Sequence, residues 1–225
     1  MDGSPVVIRL PLGRANAYLV IDERPILVDT GFPGDYPLLR ARLREHRISP
    51  SDLSLVVVTH AHFDHTGNLP SLKREADVSI ACHLNAARNL RDGTNAVIRP
   101  GTPFGRVVRP LVSRAPKLQR LEPEIVIERE TSLRPFGVHG SLVPTPGHTD
   151  GCLSLLLDDG SALVGDLVMN GLFRRKTPHS PLFVHDRTAW EESLRALLDR
   201  GVERFYPGHG GPFDREEIKA LLRPF

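Results

Sequence analysis

Residues 58–67 read Val58-Thr59-His60-Ala61-His62-Phe63-Asp64-His65-Thr66-Gly67. Four metal-capable side chains, His60, His62, Asp64 and His65, fall within six residues, directly after the apolar run 55–58. In a chain of 225 residues with 10 histidines, composition alone produces His-x-His-x-Asp-His about once in a thousand sequences. His60 and His62, two apart on extended chain leaving a strand, project to the same side and can face one ion. Asp64 and His65 follow where the chain turns into a helix, a first turn whose dipole favours an acid, and their diverging side chains suit a second ion. A zinc ion takes about four N, O or S ligands. The cluster alone therefore cannot complete two sites, and further ligands must come from elsewhere.

Three later loops offer them, each after a strand-like run: Pro146-Gly147-His148-Thr149-Asp150-Gly151, Val164-Gly165-Asp166, and Tyr206-Pro207-Gly208-His209-Gly210-Gly211. The glycine beside each candidate lets the backbone turn sharply and approach a ligand closely. Asp29, in Leu27-Val28-Asp29-Thr30-Gly31, has the plain alternative of a turn former ahead of Gly31 and Pro33.

Around these motifs, β-branched and apolar runs of strand length recur at 6–8, 18–21, 26–28, 55–58, 78–81, 125–127, 153–157 and 162–164, most of them bounded by turn residues. Helical patterns fall at about 35–46, 65–75, within 84–120, at 186–200 and from 214. The 186–200 segment is the clearest, with Thr188 and Glu191 spaced as a capping box and Gly201 as a C-terminal stop. Strands interleaved with helices predict a mixed α/β domain, and continuous runs such as Leu55-Val56-Val57-Val58 suit strands covered on both faces. The segments 26–31 and 162–167 are alike, each a buried-looking strand ending on an aspartate, a match short enough for chance and also the trace a duplicated half-domain would leave.

The length suits one large domain or two small ones at roughly 100 to 200 residues each, and 40% hydrophobic with 25% charged residues is the balance of a globular chain. No run of 18 apolar residues occurs, and Met1-Asp2-Gly3-Ser4-Pro5 lacks the basic-then-apolar pattern of a signal peptide. The two cysteines, Cys82 and Cys152, suit a reducing compartment. A cytoplasmic protein without membrane contact is the expectation. Residues 88–120 hold eight basic side chains against the single acid Asp92, a net +7 in a chain whose total is +2. A charge run of this kind is ordinarily a solvated helical face; the sharper reading is a lid whose field attracts an anionic small-molecule substrate. Phe104 is the only aromatic in the window, which argues against nucleic acid.

Taken in order, Leu27-Val28-Asp29-Thr30-Gly31, the His60 to His65 cluster, Pro146-Gly147-His148-Thr149, Gly165-Asp166 and Pro207-Gly208-His209-Gly210 resemble the motifs of the metallo-β-lactamase-fold hydrolases, above all the glyoxalase II and lactonase-like branch. The resemblance covers nearly the whole chain. It implies a single domain over 1–225 built as a four-layer αββα sandwich, with the basic segment at about 84–120 as a lid insertion and the metal site at one edge of the sheets. Carried over position by position, it makes His60, His62 and His148 ligands of one ion, Asp64, His65 and His209 ligands of another, and Asp166 the bridge. Asp29 resembles the family's supporting aspartate behind the metal loop.

Two such ions, roughly 3.5 to 4 Å apart, share one water and pull its pKa from 15.7 towards about 7. The expected activity is hydrolysis of a small ester, thioester or lactone by a metal-bridging hydroxide, with Asp64 orienting it and handling its proton. Zinc is the expected cation, and iron or manganese suits the same ligands. Within the family, Asp166 counts against β-lactam hydrolysis, because true metallo-β-lactamases lack the bridging aspartate. Flavodiiron proteins carry an acid where His62 stands. The Arg-containing signature of the persulfide dioxygenases is not recognisable at 167–177, and nucleases of the fold add an RNA-gripping arm; a mononuclear iron dioxygenase and a phosphodiesterase or nuclease are the alternatives kept. The chain ends about 15 residues after His209, so the glutathione-binding helical domain of glyoxalase II is not expected. Tyr18, Tyr36 and Tyr206 lie outside the region of the tyrosine that lactonases use. The remaining histidines, His46, His83, His139, His179 and His185, take surface or structural roles, although His179 and His185 lie in a loop that a substrate could touch.

Overall fold

A computed structural model describes residues 4–170 and 177–222. The N-terminal half supplies one sheet: β1 (Val6–Leu12), β2 (Ala15–Ile21), β3 (Pro25–Val28), β4 (Leu55–Val57), β5 (Ile80–His83) and β6 (Ile125–Ile127), neighbours in that order. The first three strands run antiparallel, and β3 to β6 are parallel, linked through the helices α1 (Tyr36–Glu45), α2 (Phe63–Thr66), α3 (Leu69–Glu75), α4 (Leu84–Asp92) and α5 (Pro103–Val112). The second sheet comprises β7 (Thr131–Ser132), β8 (Gly140–Pro144), β9 (Leu153–Leu157), β10 (Ser161–Asn170), β11 (Pro178–His179), β12 (Arg204–His209) and β13 (Phe213–Asp214). Its order is β13-β12-β10-β9-β8-β7, with β11 also on β10, and α6 (Arg187–Asp199) and α7 (Arg215–Leu221) accompany it.

Alternation along the strands builds three apolar layers. On β2 to β4, Leu19, Leu27 and Val56 point outward to Leu39, Leu43, Leu72, Ala87 and Leu90. The residues between them, Val20, Ile26, Val28, Leu55 and Val57, point inward to Leu142, Leu153, Leu155 and Leu163 of the second sheet. On the far side, Ala162 and Val164 of β10 meet Trp190, Leu194, Leu197, Phe205 and Ile218. The result is helices, sheet, sheet, helices: the αββα sandwich. Trp190 is fully buried, and its indole N–H donates to the Leu167 carbonyl at 2.7 Å, which satisfies its polar end inside the core.

Local structure departs from the sequence reading in places. The helical pattern at 65–75 is two helices, α2 and α3, because Gly67 and Asn68 interrupt it and Pro70 opens a fresh first turn. Asp186, not Thr188, caps α6, its carboxylate accepting from the Ala189 N–H at 3.0 Å, while Gly201 does take the positive φ of 82° that ends the helix. Strands β8 and β12 show in the sequence only as the strand-like runs ahead of 146 and 206, without bounds, because Gly140, Pro144 and Pro207 read as turns. Pro207 is tolerated inside β12 because the pairing with β10 shifts register on either side of Gly165. Within the stretch 84–120, Ala86, Ala87 and Leu90 bury α4 in the core, and Leu118 joins the same cluster. No helix among the described residues is long and apolar enough to cross a membrane.

Candidate metal centre

Strand ends from both sheets deliver the site. β4 runs into the His60 to His65 stretch, β10 carries Asp166, and β12 ends on His209, while His148 sits in the loop between β8 and β9. Three sets of ligand atoms converge, each within 4.8 Å: His60, His62 and His148; His60, His65 and Asp166; and Asp64, His65 and His209. All seven candidate ligands of the sequence analysis are brought together. Gly208 makes this approach possible, since a Cβ there would overlap His65 Cε1 and stand 2.6 Å from Asp166 Oδ1. Gly165, at a φ of 52°, lies against the Thr59 side chain in the same way.

Each imidazole is fixed by its outer ring nitrogen. His60 Nδ1 donates to Thr59 Oγ1 at 3.1 Å, His62 Nε2 to the Ala96 carbonyl at 3.2 Å, and His65 Nδ1 to Asp29 Oδ2 at 2.8 Å. His148 Nδ1 donates to the Phe183 carbonyl at 2.8 Å, and His209 Nδ1 to the Arg14 carbonyl at 2.7 Å. The carbonyls and the carboxylate only accept, and the Thr59 hydroxyl gives its proton to Asp29, so these contacts set the tautomers and leave the inner nitrogens of His60, His62 and His148 as bare lone pairs.

Those lone pairs face one another. His62 Nδ1 and His148 Nε2 are 3.1 Å apart, and burial foremost holds both rings below the ordinary histidine value, His62 at about 4. His60 Nε2, His65 Nε2 and Asp166 Oδ1 are buried without any hydrogen-bond partner. An unsatisfied buried polar atom costs about 1–3 kcal/mol, so three in one pocket, beside two opposed lone pairs, mark a place built for cations. The donor set fits divalent metal: five imidazoles and two carboxylates.

The second half of the cluster carries the negative charge. Burial resists ionising Asp166, yet His209 and His65 hold it well below the usual carboxylate range. Burial likewise opposes Asp64, and His65 with the His209 hydrogen bond draws it down to about 2. Burial disfavours charge on His65 and His209, but for His65 the carboxylates Asp166, Asp29 and Asp64, and for His209 Asp166 and Asp64, outweigh it and raise both.

Asp29 supports both sides at once. Its Oδ1 accepts from the Thr59 N–H at 2.8 Å, and its Oδ2 accepts from Thr59 Oγ1 at 2.7 Å and from His65 Nδ1 at 2.8 Å. Through Thr59 it orients His60, and directly it orients His65. The residue holds a left-handed φ of 59°, an uncommon conformation that aspartate tolerates better than most. Sequence reasoning missed Thr59, although it sits inside the motif, and could not see the carbonyls of Arg14, Ala96 and Phe183, since any residue supplies one. It also missed Asn16 and Tyr18, which tie down the His209 loop by donating to the Pro207 carbonyl at 3.1 and 2.6 Å.

The other residues singled out in the sequence resolve simply. His83 caps α4 and His139 pairs with Asp22 at 3.0 Å, while the His185 N–H donates to the His148 carbonyl at 3.1 Å. Burial pushes the Cys152 thiol up to about 12, so it stays protonated beside the centre. The expected place of the dioxygenase signature, 167–177, includes 171–176, which lie outside the described residues.

Above the centre opens a cavity of about 490 Å³, floored by His62, Asp64, His148, Asp166 and His209. Phe63, Ile98, Val112, Ala115 and Phe183 make its walls largely apolar. Asn95 and Ala96 stitch this cover to the metal stretch: Asn95 Oδ1 accepts from the Phe63 N–H at 2.8 Å, and the Ala96 N–H donates to the Ala61 carbonyl at 2.8 Å.

A profile described as the metallo-beta-lactamase superfamily matches residues 10–209. "Probable metallo-hydrolase MJ0888" of Methanocaldococcus jannaschii is 28% identical over 202 residues, covering 89% of this chain and 90% of that protein. Human "Acyl-coenzyme A thioesterase MBLAC2" is 29% identical over 229 residues, covering 92% of this chain and 77% of that protein. Among solved structures, the metallo-beta-lactamase family protein TTHA1429 of Thermus thermophilus superposes with a TM-score of 0.69 at 20% identity, over 97% of this chain and 78% of that one; at that identity the likeness speaks for the fold.

Proposed function

This chain belongs to the metallo-β-lactamase superfamily, and from that premise we propose that it is a dinuclear metal-dependent hydrolase of a compact ester, thioester or lactone. The metallo-hydrolase relatives support metal-dependent hydrolysis; the thioesterase among them inclines the choice toward thioesters. The single observation that carries the reading is the pair of lone pairs, His62 Nδ1 and His148 Nε2, opposed at 3.1 Å beside three orphaned buried atoms. Under it, His60, His62 and His148 would hold one ion and Asp64, His65 and His209 the other, with Asp166 available to either. When bound, such a pair supplies an acidified water at neutral pH and a Lewis acid for the substrate carbonyl.

The chain's own groups do the rest. Asp64, its Oδ2 3.3 Å from His209 Nε2, borders the cavity and is the acceptor for the proton released as water attacks. With its carboxyl held near 2, it is ionised and ready to orient that water across the neutral range. Phe63, Ile98, Val112 and Phe183 enclose the acyl group and thin out competing solvent, which strengthens every electrostatic contact at the floor. The cover they form with the chain around α5 is read as a substrate lid, and a soluble cytoplasmic setting fits it.

The test is a metal analysis of the purified protein followed by a panel of lactone, thioester, phosphodiester, β-lactam and persulfide substrates. Metal-dependent turnover confined to the lactone and thioester substrates is expected. Phosphodiester cleavage, or oxygen uptake with the persulfide, would overturn the reading in favour of a nuclease or a dioxygenase.

A further inference from the structure

A second, larger groove of about 1230 Å³ opens beside the metal cavity, and Met169, Leu182 and His209 line both. The two spaces therefore meet at the His209 edge of the centre. Their chemistry differs sharply. The cavity under Val112 is largely apolar, with Arg109 on its wall, above a floor that carries the carboxylates Asp64 and Asp166. Among the described residues the groove is lined by Arg9, Arg14 and His179 with no acidic side chain, in a chain whose 29 basic residues are nearly matched by 27 acidic ones.

The two guanidiniums are held rather than loose. Arg9 donates to the Gly211 carbonyl at 2.9 Å, and Arg14 lies over the Phe32 ring, 4.8 Å from its centroid. Neither contact neutralises the charge, and the Arg9 partner lies on the loop that follows His209. A planar guanidinium braced in this way loses little freedom on meeting a phosphate or carboxylate.

We propose that this groove is the subsite for an anionic leaving group, with Arg9 and Arg14 as its recognition residues and the acyl chain in the apolar cavity. The substrate then lies across the centre in one direction only, its scissile carbonyl where the two spaces join. This rests on the hydrolase reading above and specifies the class of substrate: an acyl thioester or ester whose alcohol or thiol half bears phosphate or carboxylate.

The experiment compares butyryl thioesters of coenzyme A, which is anionic, and of N-acetylcysteamine, which is neutral, for the metal-loaded wild type, the pair Arg9→Gln with Arg14→Ala, the charge reversal Arg14→Glu, and Arg109→Ala. Arg109 lines the other cavity and serves as the control. The wild type is expected to prefer the anionic thioester by about tenfold or more in kcat/KM at low salt, and the paired variant to lose most of that preference through KM for the anionic thioester; the ratio between the two thioesters is the readout, because the Arg14 carbonyl also holds His209. Charge reversal should invert the preference. An unchanged preference in the groove variants, or its loss in Arg109→Ala alone, overturns the proposal. Binding of S-methyl coenzyme A, followed by calorimetry, separates this from the hydrolase reading: with no turnover of either thioester that reading fails, while binding present in wild type and lost in the paired variant still upholds the groove, and binding equal in both sinks it.

Discussion

Asp29 Oδ2 and His65 Nδ1 are joined at 2.8 Å, both groups buried, and Asp166 Oδ1 faces the opposite ring nitrogen of the same histidine at 3.4 Å. His65 is thus held between two carboxylates, one from each sheet. The aspartates whose surroundings look alike in sequence, Asp29 just after β3 and Asp166 within β10, meet on one imidazole.

Asp29→Asn keeps the shape but removes the charge and one of the acceptor roles on which Thr59 and His65 depend. Outer partners of metal ligands are typically worth 10–100-fold in affinity. A loss of about that size is expected in a competitive chelator titration, with an unchanged circular dichroism spectrum.

Metal uptake should release protons. In the metal-free protein the carboxylates raise His65 and His209 above the ordinary histidine value, so both hold a proton more readily than a free imidazole and must give it up to bind metal. A net release of protons is expected from calorimetry in buffers of different ionisation enthalpy. The sign is fixed: affinity falls as pH falls, and pH-independent affinity would contradict the charge assignment.

Gly208→Ala adds one methyl group into space that His65 Cε1 already fills and that Asp166 Oδ1 borders at 2.6 Å. The helix and sheet content should survive, while bound metal drops to one ion or none by elemental analysis. An alanine variant with its full metal content would show that the loop has slack to move aside.

Asp64→Ala removes the proposed proton acceptor and one ligand. General acid–base groups contribute about 10²–10⁴-fold, so turnover of activated thioesters should fall at least about a hundredfold with the fold retained. Undiminished turnover would remove Asp64 from the mechanism.

If the basic chain beyond α4 and the arginine-lined groove steer anionic substrates, kcat/KM should fall several-fold between low and physiological salt, as screening shortens the reach of exposed charge. A flat response would leave those arginines as solvated surface.

How much of this is legible in the sequence follows from where the information lies. The ligands announce themselves because metal binding demands particular side chains, and His60 to His65 cluster densely enough to be read alone. The buried parallel strands are equally plain, since 26–28 and 55–58 are unbroken apolar runs. What hides is work done by groups that every residue owns: the carbonyls of Arg14, Ala96 and Phe183 fix three imidazoles without any sequence mark. The bounds of strands β8 and β12 hide because Gly140 and Pro207 serve close approach and a register shift, which local pattern reads as turn. The extent of the cover is also obscured, because the arginines of α4 share its helix with Ala86, Ala87 and Leu90, whose burial only the packed structure reveals.

The most direct test is anomalous diffraction from crystals of the metal-loaded protein, recorded on either side of the absorption edge of the ion that elemental analysis identifies. Two peaks are expected about 3.5–4 Å apart, one among His60, His62 and His148, the other among Asp64, His65 and His209, with Asp166 between them. A single peak, or peaks away from the His62 and His148 lone pairs, would contradict the two-ion centre.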